Sequence, residues 1–99
     1  MVFLVTYTLQ AKGMRSRHHQ TDVASLEREL QKFPAWCHLS ERTWLIATYD
    51  DISAINEKLA PFVSEDDSWV VVRLTNEYTG WQPQGIWDWL KDSFERIGP

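Results

Sequence analysis

Two stretches of this chain have the same spacing of apolar residues, 29 positions apart. The first comprises Val23, Leu26, Leu30 and Phe33, and the second comprises Ile52, Ile55, Leu59 and Phe62. Apolar residues at i, i+3, i+7 and i+10 share one side of a helix, so each stretch predicts an amphipathic helix. The chain is therefore predicted to contain two similar halves.

Segments rich in β-branched and aromatic residues flank both helices and predict four strands. They cover residues 2–9, 36–39, 43–49 and 69–74, with a tight turn at 40–42. Thr21-Asp22 is the predicted start of the first helix, and Pro34 is expected to end it at Phe33. Asp50-Asp51 is predicted to cap the second helix. Residues 10–20 are polar and are predicted to form a long loop.

The order of these elements predicts an α+β, ferredoxin-like βαββαβ sandwich with an antiparallel sheet and both helices on one face. We expect the first and third strands to lie side by side and parallel at the centre. The other face of the sheet is expected to be bare and to meet a second subunit. Residues 1–99 form one domain, in which 75–99 are a Trp-rich extension with a helix over 84–96.

Composition limits the functional classes. The net charge of −4 argues against broad electrostatic capture of nucleic acid. Cys37 is the only cysteine, so a disulfide framework is excluded and a cytoplasmic location is expected. No apolar run approaches the ~20 residues that span a bilayer, and the first residues lack the pattern of a signal peptide. No membrane association is predicted.

Several segments carry a family resemblance. They are Trp36-Cys37-His38-Leu39, Ser40, Thr43-Trp44-Leu45-Ile46, Leu59-Ala60-Pro61, the strand from Trp69 to Leu74, Gly80-Trp81 and Trp87-Asp88-Trp89-Leu90. The chain resembles small ferredoxin-like proteins related to the CRISPR-associated Cas-two-type endoribonucleases, and within them the group labelled SinR family. The resemblance implies a homodimer whose bare sheet faces meet. For some members it also implies metal-dependent cleavage of nucleic acid.

One position departs from the pattern of the nuclease-type members. They carry an Asp directly after the Tyr that ends the first strand, and here that position is Thr8. A hydroxyl is a poor Mg²⁺ ligand compared with a carboxylate, so we predict that the protein is not an enzyme. The candidate replacement is Asp50, expected near Thr8, where it could bind Mg²⁺ and activate water. The simpler interpretation is that Asp50 or Asp51 caps the helix. No other metal or cofactor is predicted.

The one basic cluster lies in the predicted loop and comprises Lys12, Arg15, Arg17, His18 and His19. These residues could contact the phosphates of nucleic acid. Two alternatives remain: a solvated loop, or a metal site that uses the adjacent histidines.

The six tryptophans are expected in the core or in an interface, with stacking on bases as the alternative. The predicted interface residues are Trp69, Val71, Val72 and Trp81. The sequence thus predicts a homodimeric binding or interaction module that contacts nucleic acid through residues 12–19. The alternatives are a metal-dependent endonuclease acting on RNA or DNA, and an antitoxin-like or regulatory module that binds another protein.

Overall fold

In the computed structural model, the described residues form an α+β fold with one four-stranded antiparallel sheet and three helices. The structure describes residues 1–9 and 15–99, and for residues 15–22 it describes the backbone alone. The elements are β1 (Val2–Thr8), α1 (Arg15–Leu30), β2 (Ala35–Ser40), β3 (Thr43–Ala47), α2 (Ile52–Leu59), a 3-10 turn (Ala60–Phe62), β4 (Ser68–Leu74) and α3 (Gln84–Arg96). This arrangement is compatible with the predicted ferredoxin-like fold.

The strand order across the sheet is β2-β3-β1-β4, and all neighbours are antiparallel. The prediction that the first and third strands are parallel is therefore wrong. Val2 lies opposite Ala47, and Thr6 lies opposite Thr43. The reason is topological. The α1 crossover makes β1 and β2 parallel, and the tight turn after β2 reverses the chain, so β3 runs against both strands when it lies between them.

Helices α1 and α2 cover the same face of the sheet, which we call the α1/α2 face. The repeated apolar residues of the sequence provide this packing: Leu26 and Leu30 of α1 and Ile55 and Leu59 of α2 are buried. Alternate strand residues complete the core, with Phe3, Val5, Tyr7, Trp44 and Ile46 buried on the same side. Both helices thus contribute buried residues to one apolar core, although Ile52, predicted on the same side of its helix, is 47% exposed.

The bounds of α1 differ from the prediction. The helix begins at Arg15, so residues 15–20, predicted as loop, are helical, and Thr21 and Asp22 lie inside the helix and not at its cap. No Gly or Pro interrupts the sequence from Arg15 to Leu30, and Arg, Gln and His are all compatible with a helix. At the other end, Phe33 lies in the turn before Pro34, although its side chain is buried as predicted.

The second face of the sheet is not bare, which corrects the prediction. Helix α3, whose bounds agree with the predicted 84–96, packs on it, and we call it the α3 face. Leu90 is buried against Val2, Leu45 and Ala47, and α3 also contacts β2. Half-buried aromatic and aliphatic residues of α3, together with Ile97 directly after it, pack around Leu90: they are Ile86, Trp87, Trp89 and Phe94. An amphipathic helix following β4 covers apolar surface that would otherwise face water.

Within the described ranges 1–9 and 15–99, the structure has no helix with the length and apolar character needed to cross a bilayer.

Candidate functional site

A cleft opens where the end of β1, helix α1 and the β2–β3 turn meet. Its volume is about 440 Å³. The lining combines apolar and charged side chains: Tyr7, Leu9, Val23, Ala24, Glu27, His38, Glu41 and Arg42. Alternation along β1 directs Tyr7 to the α1/α2 face, and Glu27 lies one position after the buried Leu26 of α1. The cleft is therefore built by residues from several separate elements.

A hydrogen-bonded network forms the wall of this cleft. The Tyr7 hydroxyl donates to Glu27 Oε2 over 3.0 Å and accepts from Trp44 Nε1 over 3.1 Å. The His38 ring stacks on Trp44, with 4.1 Å between ring centroids and 14° between planes. His38 Nε2 lies 4.0 Å from Glu27 Oε2 and 3.3 Å from the Glu41 carbonyl oxygen. These contacts connect α1 with strands β1, β2 and β3.

Tyr7 is held in its protonated form. Burial, and after it the contact with the Glu27 carboxylate, raises the pKa of Tyr7 to about 12, against the opposing effect of the Trp44 N–H. At neutral pH the Tyr7 hydroxyl is therefore a hydrogen-bond donor with a fixed acceptor, and it is not available as a base. Glu27, Glu41 and Arg42 add charged side chains to the lining of the cleft.

The predicted basic cluster lies in the chain between two residues that line the cleft, Leu9 and Val23, and most of it falls at the start of α1. Arg15, Arg17, His18 and His19 occupy four of the first five positions of the helix. Their side chains fall in the part for which the structure describes the backbone only, and Lys12 lies outside the described residues. The first turn of α1 contains no acidic residue.

Asp50 does not lie near Thr8, which corrects the prediction. Because β1 and β3 are antiparallel, the end of β3 meets the start of β1, and Thr8 pairs with Ser68 at the opposite end of the sheet. Asp50 Oδ2 instead lies 2.5 Å from Lys58 Nζ. Asp51 is the residue that caps α2, accepting from the Ala54 N–H over 2.9 Å. Across the described residues, no three His, Cys, Asp or Glu side chains converge as a metal site.

The predicted interface residues fall on different sides of the molecule. Trp69 and Val71 are half-buried against the core of the α1/α2 face. Val72 is on the other face and is 47% exposed, like Val70, which is 48% exposed. Trp81, in the connection between β4 and α3, is 98% exposed. These four residues therefore do not form one surface, because successive residues of a strand point to opposite faces.

Sequence reasoning did not identify the network of Tyr7, Glu27, His38 and Trp44. Its members are far apart in the chain, and no short motif links them. The one local signal is Tyr7 itself, a hydroxyl-bearing residue at a core position of an apolar strand, since a buried Tyr normally has a hydrogen-bond partner.

Comparison with known proteins gives no family assignment. The chain matches no protein-family model, and the search of curated proteins found no significant match.

Proposed function

We propose that this protein is a ferredoxin-like binding module that acts without catalysis, contacts nucleic-acid phosphates through residues 12–19 and functions as a homodimer. The observation that carries the proposal is the position of the basic cluster. Arg15, Arg17, His18 and His19 open helix α1, at the end of a helix where the backbone dipole is positive and the N–H groups lack intrahelical partners. Basic side chains add to this field, and phosphates are its natural ligands.

The charge distribution supports a local contact over a broad one. The chain carries a net charge of −4, so we expect positive potential chiefly where basic residues cluster, as they do at 12–19. Several acidic residues elsewhere, such as Glu65, Asp66 and Asp67 before β4, repel a polyanion from other parts of the surface. The expected affinity is weak, because only a few phosphates are contacted per subunit.

Kinship with the Cas-two-type proteins and the SinR group is part of this proposal. What supports it is the α+β architecture, in which two helices share a face of an antiparallel sheet. The metal-dependent endonuclease alternative has less support. Thr8 stands at the position of the family's Asp, and Asp50, its proposed substitute, pairs with Lys58 at the other end of the sheet.

A second candidate function, the binding of another protein, is favoured by one observation. Trp81 is 98% exposed, and tryptophan is a residue type that is enriched in protein interfaces. A regulatory or antitoxin-like partner that buries Trp81 would account for it. Trp81→Ala then abolishes capture of that partner and leaves nucleic-acid binding unchanged.

The nucleic-acid proposal is tested by fluorescence anisotropy with labelled RNA and DNA oligomers at about 50 mM salt. We expect log-affinity to fall with log salt at a slope of about −2 to −4. Binding should strengthen from pH 7.5 to pH 6, because an unperturbed histidine gains its charge near pH 6.5. The triple variant Lys12→Ala, Arg15→Ala and Arg17→Ala should flatten the slope and leave the melting temperature nearly unchanged.

The matched control removes the same charge elsewhere, with Lys32→Ala, Lys91→Ala and Arg96→Ala. Lys32 and Arg96 form exposed ion pairs with neighbouring acids, so their loss costs little stability. Binding that both triple variants weaken equally would reflect net charge alone. Absence of binding by the unmodified protein would remove nucleic acid from the proposed function.

A further inference from the structure

Strand β4 forms an outer edge of the sheet. It pairs with β1 on one side, and within the described residues no strand lies on its other side. An exposed strand edge of seven residues invites further pairing unless Pro, Lys or a bulge blocks it. The sequence of β4, SWVVVRL, contains none of these and one charged residue, Arg73.

The direction of the backbone groups of β4 follows from those of β1. The Tyr7 N–H donates to the Arg42 carbonyl, and the Met1 carbonyl accepts from the Thr48 N–H. The backbone N–H and C=O groups of odd-numbered β1 residues therefore point toward β3. The N–H and C=O groups of even-numbered β1 residues therefore point toward β4. Thr6 lies opposite Val70 and Leu4 opposite Val72, so the backbone N–H and C=O groups of these two valines point toward β1. Trp69, Val71 and Arg73 consequently direct their N–H and C=O groups outward.

These three outward residues are spaced evenly about Val71, which makes the edge complementary to itself. When a second copy pairs antiparallel with Val71 opposite Val71, Trp69 of each copy lies opposite Arg73 of the other. Each outward N–H then meets an outward C=O, because all three opposed pairs are of the hydrogen-bonded kind.

The side chains fit the same register. Val70 and Val72, 48% and 47% exposed, lie opposite each other across the junction, where β-branched pairs stabilise a sheet. Arg73, whose Nη2 donates to the Pro99 carbonyl within the same copy, lies opposite the partner's Trp69, whose ring is a suitable neighbour for a guanidinium. Antiparallel pairing also brings Arg73 toward the end of the partner strand that follows the acidic segment 65–67, whereas parallel pairing would place like charges together.

We propose that two copies of this chain pair through β4, antiparallel about Val71, to form one continuous sheet across the dimer. The inference rests on the homodimer of the proposed function and specifies its contact, which is the strand edge and not the α3 face. An extended segment of another protein could add to the same edge, and the mass measurement below distinguishes that case.

Light scattering coupled to size exclusion at tens of micromolar tests the pairing with two matched double variants. Val70→Lys with Val72→Lys places lysine opposite lysine, and we expect the mass to fall from twice to once the chain mass of 11.7 kDa. Val70→Lys with Val72→Glu places lysine opposite glutamate at both crossings, so this dimer should persist. Trp36→Lys, an exposed position on the opposite edge strand β2, is the control and should leave the dimer intact.

A dimer that survives both double variants overturns the β4 contact but leaves the homodimer standing through another surface. A monomeric unmodified protein overturns the contact and the homodimer together. A monomer whose β4 amides are protected only when an extended peptide is added indicates the peptide occupant. Should the lysine variant fail to fold, amide exchange of the unmodified protein decides: protection of Trp69, Val71 and Arg73 must rise with protein concentration.

Discussion

The two faces of the sheet are covered to different extents. On the α1/α2 face, both helices lie across the strands and half-bury even the residues of the edge strand β4, Trp69 and Val71. On the α3 face, one helix covers the side near β2 and leaves Val70 and Val72 of the same strand exposed. Strand β4 is therefore a core strand on one face and a surface strand on the other.

The two faces are therefore expected to serve different roles, the α1/α2 face in the stability of the fold and the exposed part of the α3 face in association with a partner. The apolar area removed from water is the main source of folding free energy, so the α1/α2 face is expected to contribute most of it. The exposed valines of β4 contribute little to folding and remain available to a partner. A change of one residue along β4, from Val71 to Val72, should thus move an effect from folding to association.

The largest expected effect is Leu59→Ala on the α1/α2 face. Leu59 is fully buried, and its truncation leaves a cavity, so we expect the free energy of unfolding to fall by about 3 kcal/mol. Val72→Ala, at a half-exposed position, should cost less than about 1 kcal/mol. Urea denaturation of both variants measures the difference. Equal losses would contradict the distinction between the faces.

Much of this fold could be predicted because it depends on local pattern. The helix spacing that includes Leu26 and Ile55 identified the α1/α2 core, and the segment 84–96 was identified as helix α3. The prediction that β3 runs parallel to β1 is wrong because it neglects the chain reversal at the tight turn after β2, and apolar alternation, which is the same in parallel and antiparallel strands, does not reveal the error. The prediction that Asp50 lies near Thr8 is wrong for the same reason, because it depends on the direction of β3.

The docking of α3 and the polar network were not predictable in the same way. The amphipathic character of α3 shows that it needs a surface, but not whether that surface belongs to its own sheet or to a second subunit. The contact between Tyr7 and Glu27 joins residues 20 positions apart, and it exists only once α1 has docked on β1. Such contacts are properties of packing, which a single sequence does not display.

An intermediate effect is expected for Leu90→Ala in α3. Leu90 is 4% exposed, but α3 covers only part of its face, so we expect a loss of about 2 kcal/mol. Cys37 lies under α3 and burial raises the pKa of its thiol, so loosening of the helix should also accelerate thiol labelling at pH 7.5. Trp81→Ala is the control, and it should change neither quantity. Labelling that is unaffected by Leu90→Ala would mean that α3 does not protect Cys37.

A smaller effect than that of either leucine truncation is expected for Tyr7→Phe, which tests the polar end of the α1/α2 face. The change keeps the ring but removes the acceptor of the Trp44 N–H and the donor to Glu27, so we expect the free energy of unfolding to fall by about 1 to 2 kcal/mol at pH 7.

The pH dependence of stability gives a sharper test of the Tyr7 contacts. The pKa of Tyr7 is about 12 in the folded chain and 10 in its ordinary state, so folding stabilises the protonated form. This contribution is complete below pH 10 and is lost as the pH rises from 10 through 12. Urea denaturation across that range should therefore show a steeper loss of stability for the unmodified protein than for Tyr7→Phe. Parallel pH profiles for the two proteins would show that the Tyr7 hydroxyl is not held in the network, and the wall of the cleft would then have to be explained by Glu27 and His38 alone.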